Sequence, residues 1–469
     1  MRIVPVSIGA LLIVAGCLFL DNSFSHGQHS SFAQPSANAH APQPNVLFIV
    51  LDATRYDHLS CYGYKKPTTP NLDQVAAEGT LYQNCITPAS WTLPSLASLF
   101  TGLYPRDHGV KSQHSKLKGS FETLAEILAE AGYKTLGFSS NAWVGSFAGL
   151  DQGFEQLIDV WRDLGTNPVD DGAALTNERI REWLGAYETG KPFFLFIHYF
   201  EPHFPYRPPP PYDSKFLPKG TDSAMLAEVR RWAHPREVGY ILKVPGMEIS
   251  RTQLEILESQ YDGEIAYLDA QIGILISEFK RRGLLDNTIT VITSDHGEHL
   301  GDHALLDHKM SLYDPLIHVP LIIRYPPAVP AGRRIQSPVQ TIDILPTLLQ
   351  LCAIKREPVG VSVGLPLADA ADAGRSHTFA EFAAPNMFLD VMAKTFPEAD
   401  HSVFDRALKV VQTRQYKLIW ASDGRHELYD IVNDRAEAVN LYDSKPKLAQ
   451  ELMNLLEAFN RGELPEKDH

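Results

Sequence analysis

Two apolar runs that stop on acidic residues constrain this chain more than any other feature. Asn45-Val-Leu-Phe-Ile-Val-Leu51 ends at Asp52, and Thr288-Ile-Thr-Val-Ile-Thr293 ends at Ser294-Asp295-His296. A continuous apolar run suits a strand buried on both faces of a parallel sheet. In such sheets the loops at the carboxyl ends of the strands carry the chemistry. Residues 192–198, 134–138 and 320–324 read as further strands. Apolar residues recur at helical spacing over 71–77, 121–131, 252–280 and 341–351. This alternation predicts an α/β sandwich around a mostly parallel central sheet, spanning 45–376. From about His377 the pattern shifts to short strand-like runs (402–413, 417–421, 426–429) and a final helix over 446–459. That predicts a small α+β subdomain over 377–469. The segment from the Pro-rich run 205–218 on to Arg251 is long for a connection, and it is expected to wall a binding site.

The composition fits a globular chain, with 44% hydrophobic and 21% charged residues. A formal net charge of −14 argues against a nucleic-acid partner, which needs a basic footprint. Residues 1–20 read as an export segment: Arg2 precedes an apolar run too short and too early to be taken for a spanning helix. Val14-Ala15-Gly16-Cys17 resembles a bacterial lipobox, which would tether the protein to a membrane through lipidated Cys17. An ordinary signal peptide and an uncleaved anchor are the alternatives. All three predict an exported protein, in the cell envelope or secreted. Residues 21–44 read as a flexible tether, with His26, His29 and His40 solvated in it. Cys61, Cys85 and Cys352 fit no zinc spacing. In an oxidising compartment Cys61 and Cys85 either pair or remain buried thiols.

Asp52 and Asp295-His296, at two different strand ends, can converge at one sheet edge. Carboxylate oxygen with imidazole nitrogen suits a divalent ion. Around them lie Thr69-Pro-Asn-Leu-Asp73, Thr92-Leu-Pro-Ser95, Leu99-Phe-Thr-Gly-Leu-Tyr-Pro105, Ser294-Asp-His-Gly-Glu298, Val319-Pro-Leu321 and Glu427-Leu-Tyr-Asp430. In order and spacing these resemble the sulfatase family of the alkaline phosphatase superfamily. The resemblance runs from about Asn45 to the C-terminus. It implies an alkaline-phosphatase-like sandwich, one divalent metal (Zn, Mn, Ca or Mg) held by Asp52, Thr92, Asp295 and His296, and a covalent intermediate on Thr92. It also implies catalytic roles for His203, as proton donor to the leaving group, and for Lys309 and His308, as contacts to the transferring group.

Departures from the family pattern redirect the chemistry. Thr92 stands where sulfatases carry the Cys or Ser that becomes formylglycine, and Thr is not the usual precursor. Leu96 replaces the Arg that steadies the hydrate, and Ala53 replaces the second Asp of a pair. Phe138-Ser-Ser-Asn-Ala142 replaces a segment with Lys and His. Asn141 and Gln113 are the substrate-binding candidates. A second metal is not expected, because Ala266 and Gly273 stand four residues after Asp262 and Asp269. Arg55, Asp57, Glu298, His299 and His303 read as supporting residues. The leading expectation is a phosphoester hydrolase or transferase, favouring diesters of small-molecule, lipid or glycan type. The alternatives are a sulfate ester hydrolase using unmodified Thr92, and a lipid-tethered binding protein with a degenerate site.

Overall fold

The computed structural model describes residues 43–165, 170–187, 190–232, 234–356, 375–383 and 386–463. The lipobox with Cys17 and nearly all of the tether lie outside the described residues. Among the described residues no helix is long and apolar enough to cross a membrane.

The large sheet is built from β1 (Asn45–Leu51), β2 (Thr80–Ile86), β3 (Lys134–Ser139), β4 (Gln156–Asp159), β5 (Phe193–Tyr199) and β6 (Thr288–Ser294). A two-stranded ribbon follows, β7 (His299–Leu300) with β8 (Leu306–Asp307). The large sheet is completed by β9 (His318–Arg324), β10 (Arg333–Ile335) and β11 (Val339–Gln340). Its order is β10-β2-β9-β6-β1-β5-β3-β4, with β11 also paired to β2. All pairs are parallel except those that β9 makes with β2 and β6. β12 (Thr378–Phe382), β13 (Leu408–Gln412), β14 (Tyr416–Ala421) and β15 (Glu427–Asp430) form a separate antiparallel sheet. The helix Pro446–Arg461 packs Leu452, Leu456 and Phe459 onto it, against Val411 and Leu418.

The central strands alternate across the sheet as strand geometry requires. Leu47, Ile49 and Leu51 pack on one face with Ile265, Leu268 and Ile272 of the long helix Arg251–Arg281. Val46, Phe48 and Val50 pack on the other with Leu93, Leu96 and Phe100 of the helix Thr92–Thr101. Every residue of β1 and β5 is buried. Each such aliphatic side chain contributes roughly 1.5–3 kcal/mol of burial. The long helix starts at a reciprocal cap between Ser250 and Gln253.

The expected strands appear at the expected places with shifted ends, β5 running to Tyr199 and β9 starting at His318. Two readings are corrected. The helix expected from 121 begins at Leu124, because Thr123 and Glu126 form a capping box there. The strand expected over 402–413 is only Leu408–Gln412, preceded by a single 3-10 turn at Ser402–Phe404. Cys61, Cys85 and Cys352 are buried free thiols, so the Cys61–Cys85 pairing does not form. Segment 205–251 folds into three short helices, Tyr212–Lys215, Ser223–Val229 and His234–Ile241.

Candidate functional site

The register of the sheet brings the acidic strand ends together. Leu51 pairs with Ser294 on one side and Tyr199 on the other, so β1, β6 and β5 end level. Asp52 and Asp295 therefore leave the sheet side by side, both fully buried. Ser294 fastens the two loops: its hydroxyl donates to the Leu51 carbonyl and accepts from the Thr54 amide at 3.0 Å. Ser95 fastens the Thr92 helix to β6, donating to the Asp295 carbonyl at 2.5 Å. Thr92 is the first residue of that helix, and Trp91 before it is extended (φ −156°). Its Oγ1 stands 3.3 Å from His296 Nε2.

The Asp-His-Gly turn can only be built with glycine. A Cβ at Gly297 would lie 1.9 Å from the Pro315 carbonyl oxygen. The Gly297 amide is itself bonded to the Leu316 carbonyl at 2.8 Å, so the turn cannot back away.

Asp52, Asp295 and His296 each offer one ligand atom, all within 4.8 Å of one another. His296 Nε2 is 3.5 Å from both Asp52 Oδ1 and Asp295 Oδ2. Its Nδ1 is 2.9 Å from the Gly297 carbonyl, which places the ring proton there and leaves the Nε2 lone pair facing the carboxylates. The outer oxygens are taken. Asp295 Oδ1 accepts from the amides of Ala53 (3.3 Å) and His296 (3.0 Å), and Asp52 Oδ2 accepts from Asn141 Nδ2 (2.5 Å). Asp52 Oδ1 and Asp295 Oδ2 have no hydrogen-bond partner among the described residues.

The electrostatics follow from that arrangement. Burial, and then the facing Asp295, push Asp52 well above the usual carboxylate range. For Asp295 burial acts upward, but the imidazoles of His296 and His198 outweigh it and hold the group below the usual range. Burial lowers His296 to about 4. Two unsatisfied carboxylate oxygens and an imidazole nitrogen shared with the Thr92 hydroxyl, buried away from water, fit a divalent cation. The donor set of oxygen plus one nitrogen fits zinc or manganese chemistry better than an all-oxygen calcium site.

Beside this group stands a second one. His308 Nδ1 lies 2.7 Å from Asp307 Oδ1 and 3.1 Å from Glu298 Oε1, and Asp307 Oδ2 pairs with Lys309 Nζ. Burial works against protonation of His308, but the two carboxylates override it and raise it to about 10. The His308 ring sits 4.2 Å from that of His296 and 4.7 Å from that of His203. His203 Nδ1 bonds the Phe204 carbonyl at 2.6 Å, and burial together with His308 holds its pKa below the ordinary value. His203 is therefore a neutral imidazole with Nε2 as acceptor, and His308 carries the proton. The loop that supplies this group carries four non-glycine residues in the left-handed region, His303, Ala304, Asp307 and Met310. Such concentrated strain is characteristic of functional sites.

The structure brings Asp52, Thr92, Asp295, His296, His203 and His308 together, with Lys309 one step behind. Two expectations change. Asn141 is committed to holding Asp52, and its Oδ1 accepts from the Trp143 amide at 2.7 Å, so it supports a site carboxylate rather than facing substrate. Gln113 bonds its neighbour His114 in an exposed turn, and no interaction among the described residues ties it to the cluster. Leu96, at the position of the expected Arg, is fully buried in the core. Ala53 sits at φ 53° and accepts Tyr261 Oη on its carbonyl at 2.7 Å. Arg55 bridges Asp57, Asp302 and the Glu298 carbonyl, His299 bonds Ser311, and His303 stacks on Tyr313, all supporting contacts. The sequence reading missed Asp307 and His198. His198 carried one signal, a lone polar side chain near the end of the apolar run Phe193-Phe-Leu-Phe-Ile197.

Comparison with known proteins agrees with this geometry. Residues 44–354 match the sulfatase family, and residues 301–461 match the family described as N-sulphoglucosamine sulphohydrolase, C-terminal. An N-acetylglucosamine-6-O-sulfatase of Bacteroides thetaiotaomicron is 25% identical over 88% of this chain and 86% of its own length. A phosphonate monoester hydrolase of Agrobacterium radiobacter superposes with a TM-score of 0.74 at 25% identity, over 91% of this chain and 97% of that one. A second phosphonate monoester hydrolase, from Silicibacter pomeroyi, shares the fold with a TM-score of 0.70 at 22% identity, over 91% and 96% of the two chains. This chain belongs to the sulfatase family of the alkaline phosphatase superfamily, as a hydrolase of the metal-dependent kind.

Proposed function

We propose that this protein hydrolyses singly charged phosphoesters, diesters or phosphonate monoesters, through a covalent intermediate on Thr92. The observation that carries the reading is Thr92 Oγ1 beside His296 Nε2, at the open side of two carboxylates with unsatisfied oxygens. A divalent ion held by Asp52, Asp295 and His296 would lower the hydroxyl pKa and draw charge from the transferring group. The chain's own residues do the rest. Thr92 Oγ1 gives up its proton to neutral His203 as it forms a bond to phosphorus, the bond to the leaving oxygen breaks, and the leaving oxygen gains a proton. His308, held charged between Asp307 and Glu298, is the donor nearest the site. In the second step water attacks phosphorus and gives its proton to the His308 that has donated one, and the Thr92 oxygen leaves and takes its proton back from His203. Thr92 as the first residue of its helix also sets the anion at a helix N-terminus.

The likeness to two phosphonate monoester hydrolases supports this reading. So does the loss of the Arg position to the core at Leu96. A second reading, sulfate ester hydrolysis at the same Thr92, is favoured by the relative named as an N-acetylglucosamine-6-O-sulfatase, which spans most of both chains. A sulfate monoester carries one negative charge, as a phosphodiester does, so the same site fits both. Metal-loaded protein assayed against aryl phosphodiesters, phosphonates and aryl sulfates ranks the two. Thr92→Ala is expected to lower turnover of the preferred class by more than about 10⁴-fold. Undiminished turnover in that variant contradicts the nucleophile.

A further inference from the structure

His198 is the one member of this site that no motif announces. It lies on β5 in register with Val50 of β1 and Ser139 of β3, fully buried. Neither ring nitrogen has a hydrogen-bond partner among the described residues. A buried polar group left this way is destabilising, and a phenylalanine, like its neighbours in the strand, would avoid the penalty. Its nearest polar atoms are those of the two site carboxylates. Nε2 stands 3.5 Å from Asp295 Oδ2 and 4.0 Å from Asp52 Oδ2. Asp52 Oδ2 already receives Asn141, and Asp295 Oδ1 already receives two backbone amides. Asp295 Oδ2 lacks a donor among the described residues, as Asp52 Oδ1 does, and it stands 3.5 Å from the imidazole.

We propose that His198 is a positioning residue of the metal centre: it donates Nε2–H to Asp295 Oδ2 and fixes the plane of that carboxylate for a divalent cation shared with Asp52 and His296. A carboxylate oxygen has two lone pairs, so Oδ2 can serve the cation with one and the imidazole with the other. Asn141 does the same for Asp52 from the β3 side. The two ligating carboxylates are then each steered by one side chain from a neighbouring strand end. Outer partners of this kind orient the ligands and set metal affinity.

The proposal rests on reading Asp52, Asp295 and His296 as a metal centre, and the test separates the two claims. Zn²⁺ and Mn²⁺ affinities are measured by chelator competition on the full chain, for wild type, His198→Phe, His198→Gln, His198→Ala and Asp295→Asn. Circular dichroism and Tm report folding. The expected result is binding about 10–100-fold weaker in His198→Phe, with part of the loss recovered in His198→Gln, whose amide donates. Equal affinity of His198→Phe and wild type overturns the proposal. If His198→Phe does not fold, the Gln and Ala variants carry the comparison, and equal affinities of those two overturn it. Pulsed electron paramagnetic resonance of the Cu²⁺-loaded protein is expected to show one coordinated imidazole in both wild type and His198→Gln. Two in wild type and one in the variant would make His198 a ligand and overturn the positioning role. If Asp295→Asn binds as tightly as wild type, the metal-centre reading itself fails, whatever His198 does.

Discussion

Two clusters of buried ligand-type groups stand next to each other in this molecule, and only one of them asks for a metal. Asp52, Asp295 and His296 form the first; Glu298, Asp307 and His308 form the second. By residue type and burial they are alike. They differ in how charge is balanced. In the first, two carboxylates face an imidazole that burial keeps neutral; one oxygen of each lacks a hydrogen-bond partner among the described residues, as Glu298 Oε2 does in the second. In the second, two carboxylates meet their own cations, the imidazolium of His308 and the ammonium of Lys309. The second cluster holds its own cations, and the first has no such cation facing its two carboxylates. A metal site is recognised by carboxylates left without a cation, not by the presence of Asp, Glu and His.

The sharpest way to break this contrast is to remove one carboxylate from each cluster. Asp295→Asn is expected to release the metal and take turnover below about a thousandth of wild type, beyond the 10–100-fold effect of an outer partner. Metal analysis of the purified variant with an ester assay checks it. Asp307→Asn leaves His308 and Lys309 short of counter-charge in a buried place. It is expected to cost about 3–5 kcal/mol in urea unfolding while leaving metal stoichiometry at the wild-type value. Metal loss in Asp307→Asn would show that the two clusters are not independent.

Gly297→Ala probes the turn that joins them. Its Cβ would meet the Pro315 carbonyl at 1.9 Å, and the expected cost is about 1–3 kcal/mol with weaker metal binding, because Asp295 and His296 are displaced together. Denaturant titration and metal affinity on one preparation test both parts.

The smallest effect is acid sensitivity from outside either cluster. Burial acts to raise Asp302, but Arg55 outweighs it and lowers the group below the usual carboxylate range. A depressed folded pKa gives stability that is present above the unfolded value and lost as pH falls below it. Wild-type Tm is therefore expected to drop on acidification below about pH 4, with a shallower drop in Asp302→Asn. Equal slopes would remove Arg55–Asp302 from the account.

The framework was legible because it rests on runs and strand ends. An unbroken apolar run such as 45–51 has few alternatives to a buried parallel strand, and its terminal Asp52 is then at the sheet edge whatever the rest of the chain does. Thr92, Asp295 and His296 were legible for the same reason, together with family motifs. Asn141 and Gln113 were placed by spacing in loops, where spacing does not fix direction; one turns to Asp52 and the other to His114. His198 was hidden because a single polar residue in an apolar strand has no pattern, and its meaning depends on which strands become neighbours. Asp307 was hidden because its role comes from a left-handed backbone conformation (φ 66°) that sequence does not announce for a non-glycine residue. The exchange of roles proposed between His203 and His308 needed the carboxylates around His308 to be seen in space.

The central claim is that Thr92 itself carries the transferring group. Acid-quenching metal-loaded protein during turnover of an aryl phosphodiester, followed by peptide mass spectrometry, tests it most directly. The account predicts a phosphoester adduct on the peptide containing Thr92, absent from Thr92→Ala. Full turnover in Thr92→Ala, with no adduct on wild type, would contradict it.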